Sequence, residues 1–240
     1  MVLMAYQYHF RFDVAGMKRT TFFITGTDTG VGKTVLTALL TRHLRERGVN
    51  AAALKPICSG GRDDARALRA AMKDALTPDE INPWHFRAPI APLLAARRER
   101  KQVKLADVLA HVRAMQKRFD VVLVEGTGGL LSPLGGNFDS RDLIAALRAT
   151  PMVVCPNRLG AVNQVLLTLA ALPRSASCRA RVVMMSPSKP DAATNTNAGL
   201  LAEFFDAKRI FELPWLGRRP DAGKVLKDSR VRHMLRALVK

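Results

Sequence analysis

An apolar, β-prone run, Phe22-Phe23-Ile24, leads into Thr25-Gly26-Thr27-Asp28-Thr29-Gly30-Val31-Gly32-Lys33-Thr34 and then into a helix-like pattern through Val35, Leu36, Leu39, Leu40 and Leu44. A strand, a glycine-bearing loop and a helix in that order form the context a phosphate-binding loop requires. The glycines let several backbone N–H groups converge on one anion, and the helix N-terminus adds its partial positive charge. In such a loop Lys33 is expected to reach the β- and γ-phosphates and the Thr34 hydroxyl to complete a Mg²⁺ shell. The spacing departs from the generic loop at one point. The usual first glycine falls at Thr27, and here it stands one residue earlier, at Gly26. The competing reading is a glycine-rich strand–helix turn that binds nothing.

At 240 residues the chain predicts one α/β domain, long enough to bury roughly three quarters of its unfolded surface. No apolar run approaches the ~20 residues needed to cross a bilayer. Met1 to Gly16 lacks the features of a secretory signal, so residues 1–16 are expected to be a flexible leader or a misplaced start before Met17, with the domain spanning 17–240. Three cysteines, Cys58, Cys155 and Cys178, show no paired or metal-type spacing, which favours a reducing cytoplasm. A net charge of +18 is high for a metabolic enzyme and raises the question of nucleic acid. The basic runs at 97–101 and near the C-terminus are not interleaved with aromatics, so they are expected to be solvated surface rather than a stacking platform.

The helix after the loop should run to about Arg47, with Gly48 placed to end it. Ala51 to Leu54 is a short strand that delivers Lys55-Pro56 and a glycine-bearing loop with Ser59 to the carboxyl edge of a sheet, where ligands bind. Asp63-Asp64 opens a helix expected to end near Leu76; Asp63 is expected to cap it and Asp64 to face a metal. Residues 82–92 form a proline-bearing segment too long for a tight connection, as expected of a lid or structured surface loop. His85 within it lacks partners for a metal or a triad and is expected to pack. Leu105 to Arg118 is amphipathic. Val121 to Val124 is apolar on both faces, as in a parallel sheet, and ends in Glu125-Gly126-Thr127-Gly128-Gly129, which places Glu125 as a Mg²⁺ or water-orienting acid. Further strands are expected at 151–155, 181–185 and 210–213, with a helix from Val162 to Leu172. Strand–helix alternation predicts right-handed crossovers and a single, mostly parallel central sheet, a three-layer α/β fold of the P-loop NTPase type.

The stretch Gly26 to Thr34, Lys55-Pro56 with Ser59-Gly60, Asp64, Glu125 to Gly129 and Leu213-Pro214-Trp215-Leu216 resemble dethiobiotin synthetases in order and spacing over about residues 20–217. The resemblance implies an ATP- and Mg²⁺-dependent ligase that closes a cyclic urea on 7,8-diaminopelargonic acid with CO₂, through a carbamate and its mixed anhydride with phosphate. It implies nucleotide contacts from Gly26, Thr27, Asp28, Thr29, Gly30, Val31, Gly32, Lys33, Thr34, Glu125 and Pro214. Lys33, Lys55 and Thr29 would serve catalysis, and Thr34, Asp64 and Glu125 would hold Mg²⁺. Thr29, Lys55 and Ser59 would contact substrate, with Gly160, Ala161, Val162 and Asn163 from the partner of a homodimer binding its carboxylate. Two positions depart from the family pattern. Arg158 stands where the family tends to have lysine, and Ser186-Pro187 where it usually has an adenine-reading asparagine, which leaves other nucleoside triphosphates open as co-substrates. The alternative is a partition-type P-loop ATPase that binds DNA non-specifically. Its members usually carry a second, early loop lysine, and none stands between Gly26 and Gly32.

Overall fold

The computed structural model describes residues 19–218 and 220–240; the expected leader at 1–16 and the alternative start at Met17 lie outside the described residues. Strand β1 (Thr20–Gly26) ends in the phosphate loop, and α1 (Lys33–Glu46), β2 (Ala51–Leu54), a short β3 (Ile57–Ser59) and α2 (Asp63–Ala71) follow. A one-turn helix α3 (Pro78–Ile81), then β4 (Trp84–Phe86), α4 (Pro92–Arg98) and α5 (Leu105–Arg118) lead to β5 (Val121–Glu125). The alternation then becomes regular, with α6 (Ser140–Leu147), β6 (Thr150–Pro156), α7 (Ala161–Ala171), one-turn α8 (Arg174–Ser177), β7 (Arg181–Met185), α9 (Ala192–Ala202) and β8 (Ile210–Leu213). Helices α10 (Ala222–Val225) and α11 (Ser229–Leu238) come last.

Six strands form one parallel sheet in the order β2-β5-β1-β6-β7-β8. Every residue of β5 is buried, as a strand covered on both faces requires, and its Val-Val-Leu-Val run supplies the β-branched side chains that suit that position. The alanines of β2 carry little strand propensity of their own. They are held extended by pairing with β5, from Ala51↔Val121 to Leu54↔Val124. Helix α1 presents Leu36, Leu39, Leu40 and Leu44 to the core at helical spacing, and each buried leucine contributes roughly 1.5–3 kcal/mol.

The chain leaves β1 toward β2 on one side and, after β5, passes over it to β6, β7 and β8 on the other. Right-handed crossovers in opposite directions put helices on opposite faces. Accordingly α1 packs with α2, α10 and α11, while α5 packs with α6 and α7 with α9. The loop after β1 therefore sits where the winding reverses, the place at which open parallel sheets bind ligands.

Two expectations about the fold need correction, and the sequence pattern leaves one stretch unread. The sheet is not single: beside the central sheet, β3 and β4 form a separate two-stranded parallel pair, so the proline-bearing segment contributes a strand and the first residue of α4 rather than a loop throughout. Helix α2 stops at Ala71, well short of Leu76, because Lys73 and Asp74 adopt left-handed backbone with φ of 53° and 59°. Helices α10 and α11 occupy a stretch in which only the basic residues stood out in the sequence. Strands at 181–185 and 210–213 and the helix Leu105–Arg118 stand where the pattern put them. No helix among the described residues is long and apolar enough to cross a membrane.

Candidate active site

The phosphate loop owes its shape to two glycines. At Gly26 a Cβ would lie 2.6 Å from Val31 Cγ2 and 3.3 Å from Lys33 Nζ, so the loop folds back closely over this residue, one position before the usual glycine. At Gly32, which caps α1, φ is +102°, a conformation that side chains with a Cβ rarely adopt; an added Cβ would also approach the Met185 side chain to 2.8 Å. The end of β7 thus flanks the loop. Lys33 Nζ reaches across to donate to the Asp28 carbonyl at 2.7 Å. Burial, assisted by the nearby Lys55 charge and opposed by Glu125, Asp64 and Asp28, lowers the Lys33 pKa to about 8.

Around the loop stands a buried ionic cluster. The β2–β5 ladder ends at Leu54↔Val124, so Lys55 and Glu125 are the next residues on adjacent strands. Lys55 Nζ donates to Glu125 Oε1 at 2.7 Å and also pairs with Asp64. Thr34 Oγ1 donates to the same Glu125 oxygen at 2.7 Å. Burial alone would lower the Lys55 pKa, but the Glu125 and Asp64 carboxylates outweigh it and hold the ammonium above the ordinary lysine value. Burial would likewise raise Asp64, and Lys55 overrides it, keeping the carboxyl below its usual range. The Lys55 and Glu125 charges, both buried, persist because they are paired and hydrogen-bonded, whereas the Asp64 side chain stays 38% exposed at the cleft.

The second Glu125 oxygen, Oε2, is buried with no hydrogen-bond partner among the described residues. An orphaned carboxylate oxygen beside the Thr34 hydroxyl and Asp64 makes a hard-oxygen donor set that fits Mg²⁺. No group of three or more His, Cys, Asp and Glu side chains among the described residues is placed to hold a metal.

These groups line one cleft of about 720 Å³, within the range of small-molecule sites. Thr29, Lys33, Thr34, Lys55, Ser59, Asp64 and Glu125, all singled out in the sequence, face it together. Residues 89–92 wall one side, and Thr127, Gly128 and Ser132 another; the only sign of these walls in the sequence was the proline spacing and the glycine run. Asp63 does not cap α2. It is the first residue of that helix, Arg62 occupies the cap position, and the Asp63 carboxylate pairs with Arg66. His85 packs as expected, with Nε2 2.7 Å from the Gly60 carbonyl.

Gly160 to Asn163 and Pro214 stand outside this cleft. Gly160 caps α7 with φ of +86° and no side-chain cap, and Gly160 and Asn163 are exposed. Pro214 follows β8 and is exposed. Beyond Met185, the Ser186 N–H donates to Leu213 O at 2.9 Å. The nearby Asn157 amide donates to the Thr194 carbonyl and Glu212, and its Oδ1 accepts from Asn197.

A family model described as an AAA domain matches residues 20–219. An ATP-dependent dethiobiotin synthetase BioD from Akkermansia muciniphila is 40% identical over 193 residues, covering 80% of this chain and 91% of that one. The protein of the same name from Bacillus velezensis is 32% identical over 220 residues, covering 89% and 91%. Among solved structures, a ParA family ATPase from Chlorobium tepidum aligns over 92% of this chain and 99% of its own with a TM-score of 0.56. At 13% identity that likeness speaks for the P-loop fold alone. Sequence likeness running almost end to end, on a fold that gathers the phosphate loop, Lys55, Asp64 and Glu125 in one cleft, makes the chain a member of the ATP-dependent dethiobiotin synthetase family.

Proposed function

We propose that this cleft converts 7,8-diaminopelargonic acid, CO₂ and ATP into dethiobiotin, ADP and phosphate, with Mg²⁺ as the cofactor. One amine of the diamine adds to CO₂ and loses a proton, giving a carbamate. A carbamate oxygen takes the γ-phosphoryl group as ADP leaves. The second amine then attacks the carbamoyl carbon, expelling phosphate and closing the urea. No step needs a protein nucleophile; positioning and charge neutralisation suffice. The observation that carries this reading is the placement of two buried lysine amines, Lys33 and Lys55, on the same cleft as Thr34, Asp64 and Glu125. Lys33 would leave its Asp28 carbonyl for the phosphates, and Lys55 would neutralise the carbamate and the transferring oxygens. Thr34, Asp64 and Glu125 would hold Mg²⁺, which supplies charge neutralisation on the phosphates. Thr29 and Ser59 would hydrogen-bond the substrate.

The substrate carboxylate would be received by the uncapped N-terminus of α7, Gly160 to Asn163, from the partner of a homodimer. Exposed leucines support that assembly: Leu159 is 83% and Leu167 63% exposed, and Leu131 shares a shallow groove with Leu167. Cysteines that are all free suit a reducing cytoplasm.

The test is phosphate release with Mg²⁺-ATP and bicarbonate, with and without the diamine. Release should depend on the diamine, and Lys33→Ala should lower it by about a hundredfold or more. Release indifferent to the diamine would overturn the reading and turn attention to a DNA-responsive ATPase.

A further inference from the structure

The segment 77–86 is fixed at both ends yet contributes no side chain to the cleft. Its first turn, α3, carries a capping box in which the Thr77 hydroxyl accepts from the Glu80 N–H and the Glu80 carboxylate accepts from the Thr77 N–H. Glu80 is further held from α5, by Arg118 at 2.6 Å on its carboxylate and by His111 on its carbonyl at 2.9 Å. The far end, β4, is paired to β3 from Ile57↔Trp84 to Ser59↔Phe86. Between these anchors stands Asn82, whose side chain is fully buried. Its amide donates to Lys55 O at 2.9 Å and to Pro56 O at 3.3 Å. The flanking backbone completes the clasp: Lys55 N–H donates to Ile81 O, and Trp84 N–H to Pro56 O, each at 3.0 Å.

The need for such a clasp follows from the sheet. β2 lies at the sheet's edge and its ladder ends at Leu54, so no neighbouring strand continues along Lys55 and Pro56. Their carbonyls are buried polar groups that must find donors. Arg62 extends the connection, donating to the Asn82 carbonyl at 3.0 Å and to Asp79 at 2.8 Å. Arg62 is the cap residue of α2, the helix that brings Asp64 to the Lys55 ammonium. The Asn82 side chain thus ties down the backbone bearing Lys55, while its main-chain carbonyl, through Arg62, holds the start of the helix bearing Asp64.

We infer that Asn82 is a positioning residue for Lys55: its amide, clamped between α3 and β4, fixes the backbone from which Lys55 reaches Glu125 and Asp64. This rests on the role proposed above for Lys55, and it needs no contact between Asn82 and substrate. Preorganisation of this kind matters because a displacement of ~1 Å in a catalytic group can lower a rate about a hundredfold.

The experiment compares wild type with Asn82→Ala and Asn82→Ser in full-length protein. The serine keeps one donor for the two carbonyls and guards against an alanine variant that fails to fold. Kinetics below the melting transition should show kcat lowered by about tenfold or more in the alanine variant and partly restored in the serine variant. KM for ATP should stay within about twofold, because the phosphate loop is untouched. Crystal structures should show the Lys55 amine withdrawn from hydrogen-bonding distance of Glu125 in the alanine variant, and shifted from its wild-type position, though less so, in the serine variant. Wild-type kcat in the variants, or Lys55 still bridging Glu125 and Asp64, would overturn the inference. An inactive wild type would instead count against the proposed reaction, and the position of Lys55 in the variant crystals would still decide the role of Asn82.

Discussion

His43 lies on the buried face of α1, and its Nε2 is buried with no hydrogen-bond partner among the described residues. Burial, reinforced by the Arg47 charge, lowers its pKa to about 4. The unfolded chain protonates this imidazole near its ordinary value of 6.5, whereas the folded protein does so only near 4. Between those values the unfolded state binds the extra proton, so stability falls as the pH is lowered through that window. The loss is on the order of 3 kcal/mol once both steps are complete. Urea midpoints measured from pH 7 to pH 4 should decline, and His43→Leu should flatten the decline. An equal slope in the variant would show that another group governs acid sensitivity. Lys33 has a lowered pKa for the same two reasons, burial and then a neighbouring cation, here Lys55, and a bound anion would raise it again.

Most of the elements around the cleft could be read from the chain, and the reasons are physical. Val121 to Glu125 has one pattern compatible with one environment, a strand covered on both sides. Leu105 to Arg118 shows its buried face at helical spacing. Lys33, Thr34, Lys55, Asp64 and Glu125 sit at strand ends and helix starts, where periodicity breaks and the chemistry becomes visible. Contacts between distant segments could not be read. β3 and β4 are three residues each and become strands only through pairing with one another, while the early end of α2 depends on left-handed backbone at Lys73 and Asp74, residues that do not demand it. Asn82 gave no signal because its partners are backbone carbonyls 26 and 27 residues away. The ends of β7 and β8 yield a prediction of their own. Ser186 offers a hydroxyl and Pro187 no donor, and the nearby Asn157 amide is already engaged. With no amide at 186–187 and that of Asn157 engaged, turnover with CTP and GTP should fall within about tenfold of that with ATP, since a site without directed hydrogen bonds discriminates weakly. Strict dependence on ATP would refute it.

For the molecule as a whole, the exposed leucines beside α7 predict assembly. Leu167→Asp should shift the mass measured by light scattering from dimer to monomer and raise KM for the diamine, because in the proposed homodimer the α7 N-terminus would no longer reach the partner's cleft. A wild-type protein that is monomeric at micromolar concentration would count against the homodimer. The strand order bears on the history of the chain as well as on its site. β1 pairs with β5 at Thr20↔Val121 and with β6 at Phe22↔Thr150, so the strand that carries the phosphate loop leaves the ribosome long before either neighbour is made. Until residue 125 and then residue 156 have emerged, Phe22, Phe23 and Ile24 have no ladder to join, and the loop after them has no frame. Contacts so distant along the chain slow folding and keep an apolar strand open to wrong partners. The strand that carries the phosphate loop therefore waits for its place until β6 has been made, and nucleotide binding waits with it.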